Sequence, residues 1–237
     1  MKNLCQNVAM NYADIKLTLT KNIDDKFQAF EAKGIPTERP ILGVRVPIIR
    51  EIARSVPREN VKKILEEKPI SMEEVMLRGI LISCLNYDEM LEYFDSEVAE
   101  IVDWCSCDIF CSSLKPLIKK HRQEFFEQKI DPLLQGKGEF GVRVGLVLLL
   151  GSYVTEDYLA VIFDRVESLR NREEYYIKMA IAWLIAECFV KYEEETLSYL
   201  KVSHLPKWTF NKAISKICDS LRVEPDVKNY LRTLRRK

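Results

Sequence analysis

Chain breakers are scarce. Eight glycines and nine prolines stand in 237 residues, well below the roughly 12% that the two make up in an average protein. A β-sandwich or barrel needs a turn signal roughly every 8–12 residues, so those classes are disfavoured and long helices favoured. Long apolar runs are also missing: none reaches the roughly 18 residues of a membrane-spanning helix. The opening MKNLCQNVAMNYADIKLTLTKN is broken by Asn, Gln, Asp and Lys and does not read as a signal peptide. Only two histidines are present, which leaves little material for a His-rich metal site. No GxxxxGK followed by Ser or Thr, GxGxxG, HExxH or GxSxG occurs, and with them go the commonest signals for NTPases, dinucleotide enzymes, zinc proteases and serine hydrolases. There is no net charge either: 36 Lys and Arg balance 36 Asp and Glu, a mild argument against a nucleic-acid partner.

What is present is a soluble, globular composition, 47% hydrophobic and 30% charged. It is read as one domain over residues 1–237, without a membrane and cytoplasmic. The seven cysteines, an odd number without an export signal, are expected to be reduced thiols. Charge is unevenly spread. Residues 201–237 hold ten Lys and Arg against three acids, whereas residues 86–108 hold eight acids and no base. Local field matters more than the sum when a polyanion binds, although a solvated acidic face and an ordinary basic tail read as well from charge alone.

Helical periodicity recurs nearly everywhere. Candidate helices fall at roughly 6–20, 23–33, 46–55, 58–67, 72–84, 86–95, 97–115, 116–128, 139–151, 155–165, 172–190, 193–201, 208–220 and 224–235. Ser71 before Glu74, and Thr155 before Glu156 and Asp157, are helix-start signals. LLQGKGEFG (133–141) is the clearest loop and a candidate mid-chain hinge. Short helices with brief connections and no strand run fit an all-α solenoid of stacked antiparallel HEAT-like pairs, whose units run to about 40–47 residues. An irregular all-α globule fits the rhythm as well.

Three apolar helices carry polar residues where a core pattern expects none. In IVDWCSCDIFCSSLK (101–115), Trp104, Asp108, Cys111 and Lys115 share a helical face. In EFGVRVGLVLLLGSYV (139–154), Arg143 lies on a stripe with Phe140, Val147 and Leu150, and a buried guanidinium needs an anion. In YYIKMAIAWLIAECFV (175–190), Tyr176, Ala180, Trp183 and Glu187 share a face. Asp108 and Arg143 are 35 residues apart and Arg143 and Trp183 are 40, each near one HEAT unit, so a solenoid would stack them along one surface. Plain core packing remains the simpler reading of Trp183. Cys105, Cys107 and Cys111 raise zinc, but Cys105 and Cys107 point about 160° apart on a helix. Buried thiols are the better reading, with a nucleophile activated by Lys115 a third.

The segments ILGVRVPIIREIAR (41–54), DWCSCDIFCSSLK (103–115), EFGVRVGLVLLL (139–150), IKMAIAWLIAECFVKY (177–192) and TFNKAISKICDSLRV (209–223) resemble, in order, the blocks of the AlkD-like DNA alkylation repair family. The resemblance runs over about residues 25–235 and implies a curved HEAT-like α-solenoid with a concave DNA-binding cleft. It implies a DNA glycosylase of base excision repair that hydrolyses the N-glycosidic bond of cationic N3- and N7-alkylpurines in duplex DNA. The family's catalytic Asp falls on Asp108, its two cleft Trp on Trp104 and Trp183, and its cleft Arg on Arg143. Arg45, Arg143, Lys212, Lys216 and Arg222 are the candidates for DNA contact. No cofactor and no metal are expected, and the partner is alkylated double-stranded DNA met by a monomer at the nucleoid. Two departures stand out: the thiol-rich Cys-Ser-Cys between Trp104 and Asp108, and the neutral net charge. Two rival functions fit the same scaffold: a non-catalytic binder of damaged or branched DNA, and a protein–protein scaffold.

Overall fold

A computed structural model describes residues 10–237. Among the described residues there is no strand. The helices are α1 (Tyr12–Lys21), α2 (Asp25–Gly34), α3 (Val46–Ser55), α4 (Arg58–Leu65), α5 (Met72–Ile82), α6 (Tyr87–Glu100), α7 (Trp104–Ile118), α8 (Arg122–Phe125), α9 (Asp131–Leu134), α10 (Glu139–Ser152), α11 (Glu156–Ser168), α12 (Tyr175–Lys191), α13 (Glu193–Val202), α14 (Lys207–Asp219) and α15 (Pro225–Thr233). A π-helical turn, Phe126–Ile130, joins α8 to α9. The helix expected over 6–20 begins at Tyr12, and its residues 6–9 lie outside the described ones.

The helices form two compact units, one ending at Leu117 and one spanning Ile118–Lys237. The division therefore falls in the last turn of α7 and not at the 133–141 loop, which lies inside the second unit. In each unit a helix packs on the next but one: α1 on α3 and α3 on α5 in the first, α10 on α12 and α12 on α14 in the second. This is the packing of an α-solenoid, one of the two arrangements that fit the helical rhythm.

In the first unit α5 is buried along its whole length, including Glu73, Glu74 and Arg78. Each charge ties a different element to the core, which removes the cost of burying it unpaired. Glu74 accepts from the Tyr12 hydroxyl of α1 at 2.6 Å and from the Ile70 amide at 2.8 Å. Arg78 donates to Glu97 of α6 at 3.0 Å and to the Leu65 and Glu67 carbonyls that end α4. Glu73, fully buried, accepts from the Leu42, Gly43 and Val44 amides at 2.7–3.2 Å. Three successive amides can converge on one carboxylate because Gly43 adopts φ +83°. A Cβ at Gly43 would also come within 2.7 Å of the Asp24 carbonyl and of the Gln28 Cβ. Gly43→Ala is therefore expected to cost about 2 kcal/mol or more, from left-handed strain and the clash together. A urea midpoint unchanged by Gly43→Ala would contradict this account of the turn.

In the second unit α10 is lined by buried Val142, Val144, Leu146, Val147, Leu148 and Leu149, with Arg143 among them. Pro132 has no amide hydrogen to give the preceding turn. The backbone absorbs the gap by widening: the Asp131 amide reaches back five residues to the Phe126 carbonyl, which makes the π turn. The break expected at Pro116 is absent, and α7 runs through it to Ile118. Ser112, whose carbonyl loses that donor, is exposed, where an unpaired carbonyl costs little.

Candidate active site

Residues 97–115 are not one helix. The chain leaves α6 at Ile101, which is extended at φ −79°, ψ 112°, and restarts one residue before Trp104. Asp103 starts the new helix. Its buried carboxylate accepts from the Ser106 amide at 2.7 Å and the Ser106 hydroxyl at 2.9 Å, a side-chain cap for the otherwise unpaired amides of a helix start. That cap fixes the rotation of α7 and with it the face carrying Trp104 and Asp108.

Trp104 and Asp108 are both half-buried, one turn apart. The indole is fixed: its Nε1 donates to the Gly34 carbonyl at the end of α2, at 3.1 Å. The surroundings are acidic. Burial pushes the Cys105 thiol up to about 12, and Asp103, Glu31, Asp108 and Glu73 push it the same way. A protonated thiol among carboxylates is a poor nucleophile, which counts against Cys105 in that role. Cys111, expected on the face of Trp104, Asp108 and Lys115, is buried while Lys115 is exposed. Cys111 lies at the edge of that face nearest the buried Phe110 and Leu114.

Glu31, on α2 one turn before Gly34, is the site neighbour that the sequence did not disclose. It is 9% exposed and its Oε2 has no hydrogen-bond partner. Burial first, then Glu73, raises its carboxyl from 4.5 to about 7; Arg45 opposes this and Asp103 adds to it. The folded state therefore holds a proton that the unfolded chain releases between those two values, and stability falls as pH rises from 4.5 to about 7. The loss is at most about 3 kcal/mol. Glu31→Gln should flatten this slope in urea titrations across that range; an undiminished slope would show that the group titrates normally.

Arg45 lies in the same unit, exposed, with Nη2 donating to Asp24 at 3.1 Å and the guanidinium 4.3 Å from the Phe27 ring centre. The Phe27 amide, then Arg45, holds Asp24 below the usual carboxylate range.

The second unit holds the remaining candidates. Arg143 is 5% exposed; its Nη1 donates to the Tyr176 carbonyl at 3.3 Å and its guanidinium lies 5.7 Å from the Tyr176 ring centre. So little surface leaves it poorly disposed to grip a phosphate directly and well disposed to orient its neighbours. Trp183 lines a cavity of about 300 Å³ with Ala186, Glu187, Lys216, Asp219 and Arg222. The Lys216 ammonium is 5.9 Å from the indole centre. Glu187 accepts from Arg222 at 3.0 Å and pairs with Lys191 at 3.5 Å. Trp183 is thus part of a polar, partly exposed wall and is not plain core packing. Lys212 is not with this group: it lines a separate cavity with Trp208. The expected DNA-contact residues thus fall into distinct places: Arg45 on the first unit, Lys216 with Arg222, and Lys212 apart from them.

The packing of next-but-one helices defines the class, an α-solenoid. The family model for DNA alkylation repair enzymes matches residues 15–217, and the chain belongs to that family. No curated protein matches it. Among solved structures, a predicted DNA alkylation repair enzyme from Enterococcus faecalis superposes with a TM-score of 0.64 at 16% identity, over 83% of this chain and 93% of that one. At that identity the likeness speaks for the fold. No described helix is long and apolar enough to cross a membrane.

Proposed function

We propose that the chain is a DNA glycosylase of base excision repair, a hydrolase that releases cationic N3- and N7-alkylpurines from double-stranded DNA. The observation that carries this reading is the α7 face, where an indole anchored through its N–H stands one turn from a half-buried carboxylate. Such a pair suits a cationic sugar. An N7-alkylated purine already carries the positive charge that a leaving group needs. When the C1′–N9 bond breaks, its electron pair neutralises the purine, and the positive charge passes to the sugar as an oxocarbenium ion, as in glycoside hydrolysis. Water then bonds to C1′ and loses a proton. Asp108 stabilises the sugar cation or orients that water. No acid is needed to protonate the base.

Trp104 and Trp183 offer cation–π surface, each contact worth about 0.5–2 kcal/mol. Arg143 acts as a positioning residue. Lys216, Arg222, Lys212 and Arg45 supply salt-dependent phosphate contacts. The reading has a monomer meeting alkylated DNA at the nucleoid, without metal or cofactor.

Incubation with duplex DNA containing 7-methylguanine tests the proposal. Free base above the spontaneous rate is the expected result. DNA binding with no release would leave the non-catalytic binder, and no binding at low salt would leave the protein scaffold. Binding itself should weaken steeply with salt, by about one power of the salt concentration per phosphate contacted. Affinity independent of salt would contradict the assigned Lys and Arg contacts.

A further inference from the structure

The starts of α12 and α14 lie side by side in the second unit and carry an aromatic and cationic surface, of which the excision reading uses only Lys212. Trp208, in the first turn of α14, is 41% exposed, and Tyr175, the first residue of α12, is 54% exposed. Their rings meet edge to face at 5.9 Å. Tyr176 continues the row at 5.2 Å from Tyr175, and Phe140 lies 5.2 Å beyond it. The Lys178 ammonium sits 5.2 Å from the Trp208 ring centre.

Beside this row is a cavity of about 490 Å³ lined by Lys207, Trp208, Asn211, Lys212, Ser215 and Arg235. Three of those six residues are cations and none is an acid. Arg235 is held toward the cavity wall by a 2.8 Å bond to the Ser215 hydroxyl. The α14 start has Pro206 at its N-cap and no side-chain cap bond, so its positive end adds to the field.

Large exposed aromatics are costly to leave in water and mark interaction sites when they cluster. The neighbouring charge decides between occupants. An apolar peptide has no use for three cations, and an acidic peptide none for two exposed rings. A paired duplex hides its base faces. An unpaired strand presents both what the rings bind and what the cations bind.

We propose that the surface where α12 and α14 begin binds an unpaired stretch of DNA, with bases stacking on Trp208 and Tyr175 and phosphates held by Lys207, Lys212 and Arg235. The site goes beyond the excision reading, and rests on it only in taking DNA as the nucleic acid.

The test is fluorescence anisotropy of a labelled oligothymidylate of about ten nucleotides, near the footprint of one stacking platform, with the full chain. Wild type should bind it. Trp208→Ala should weaken binding by about tenfold or more, Tyr175→Ala by about threefold, and Trp208→Phe should keep most of the affinity because it keeps a ring. Lys207→Glu, at an exposed position, provides a second variant on the same cavity and should also weaken binding. A strand of abasic sites should bind wild type about as poorly as oligothymidylate binds Trp208→Ala. The proposal is overturned if wild type does not bind the strand, or if both aromatic variants bind within about twofold of it. It is also overturned if a blunt duplex or an acidic peptide competes as well as the strand. The excision reading fails separately: absent base release with intact strand binding counts against that reading alone, and intact release with strand binding indifferent to Trp208→Ala counts against this site alone.

Discussion

Asp108→Asn should lower the single-turnover rate of 7-methylguanine release by about 10²-fold or more, with duplex binding little changed, because an interaction made mainly in the transition state is being removed. The amide keeps the shape of the carboxylate and loses its charge. What it can no longer do is meet the positive sugar, and the neighbourhood cannot replace it. Glu31 is buried, with its proton retained up to about pH 7, Asp103 is occupied by Ser106, and Glu73 by three backbone amides. Trp104→Ala and Trp183→Ala remove binding surface and should cost less. A rate that survives Asp108→Asn would assign the chemistry elsewhere.

The largest stability effect is expected at the Arg78–Glu97 pair. Arg78 is 5% exposed and Glu97 is fully buried, joined at 3.0 Å. Glu97 has a second oxygen, Oε1, without a hydrogen-bond partner, so Arg78 is its principal compensation. Burial already pushes the Glu97 carboxyl up to about 7 against the pull of Arg78. Arg78→Met should destabilise the chain by about 3–5 kcal/mol, the cost of leaving a buried charge uncompensated. It also strips the donors from the Leu65 and Glu67 carbonyls. Adding Glu97→Leu should recover much of the loss, since a buried pair is often replaceable by apolar side chains. The deficit of the single variant should shrink as pH falls through the range where Glu97 takes up a proton. Urea midpoints of the two variants at two pH values measure all of this; equal midpoints for Arg78→Met and wild type would dissolve the argument.

The parts of the fold legible in the sequence are those where one physical signal dominates. Sparse glycine and proline and an unbroken helical period announce an all-α chain, and Ser71 starts α5 as its spacing to Glu74 indicates. The face shared by Trp104 and Asp108 was equally readable, because the two are one turn apart and the helix is regular there. Other features escaped because they depend on tertiary partners. The three charges of ISMEEVMLRGILI do not announce burial, yet α5 is buried throughout, since partners 4 to 62 residues away neutralise Glu73, Glu74 and Arg78. The break before Trp104 did carry a local signal, Asp103 three residues before Ser106, masked by the apolar Ile101 and Val102 beside it. Trp208 went unnoticed because a lone Trp in a basic tail gains meaning only when Tyr175 is packed against it.

The claim that positive charge on the leaving base is what the chain acts on is best tested by one comparison. Two duplexes of identical sequence, one carrying 7-methylguanine and the other the neutral lesion uracil, are incubated with excess wild-type protein, and free base is measured over time. Release of 7-methylguanine well above its spontaneous rate, and none of uracil, is expected. Release of both at similar rates, or of neither while the duplexes stay bound, would contradict that claim.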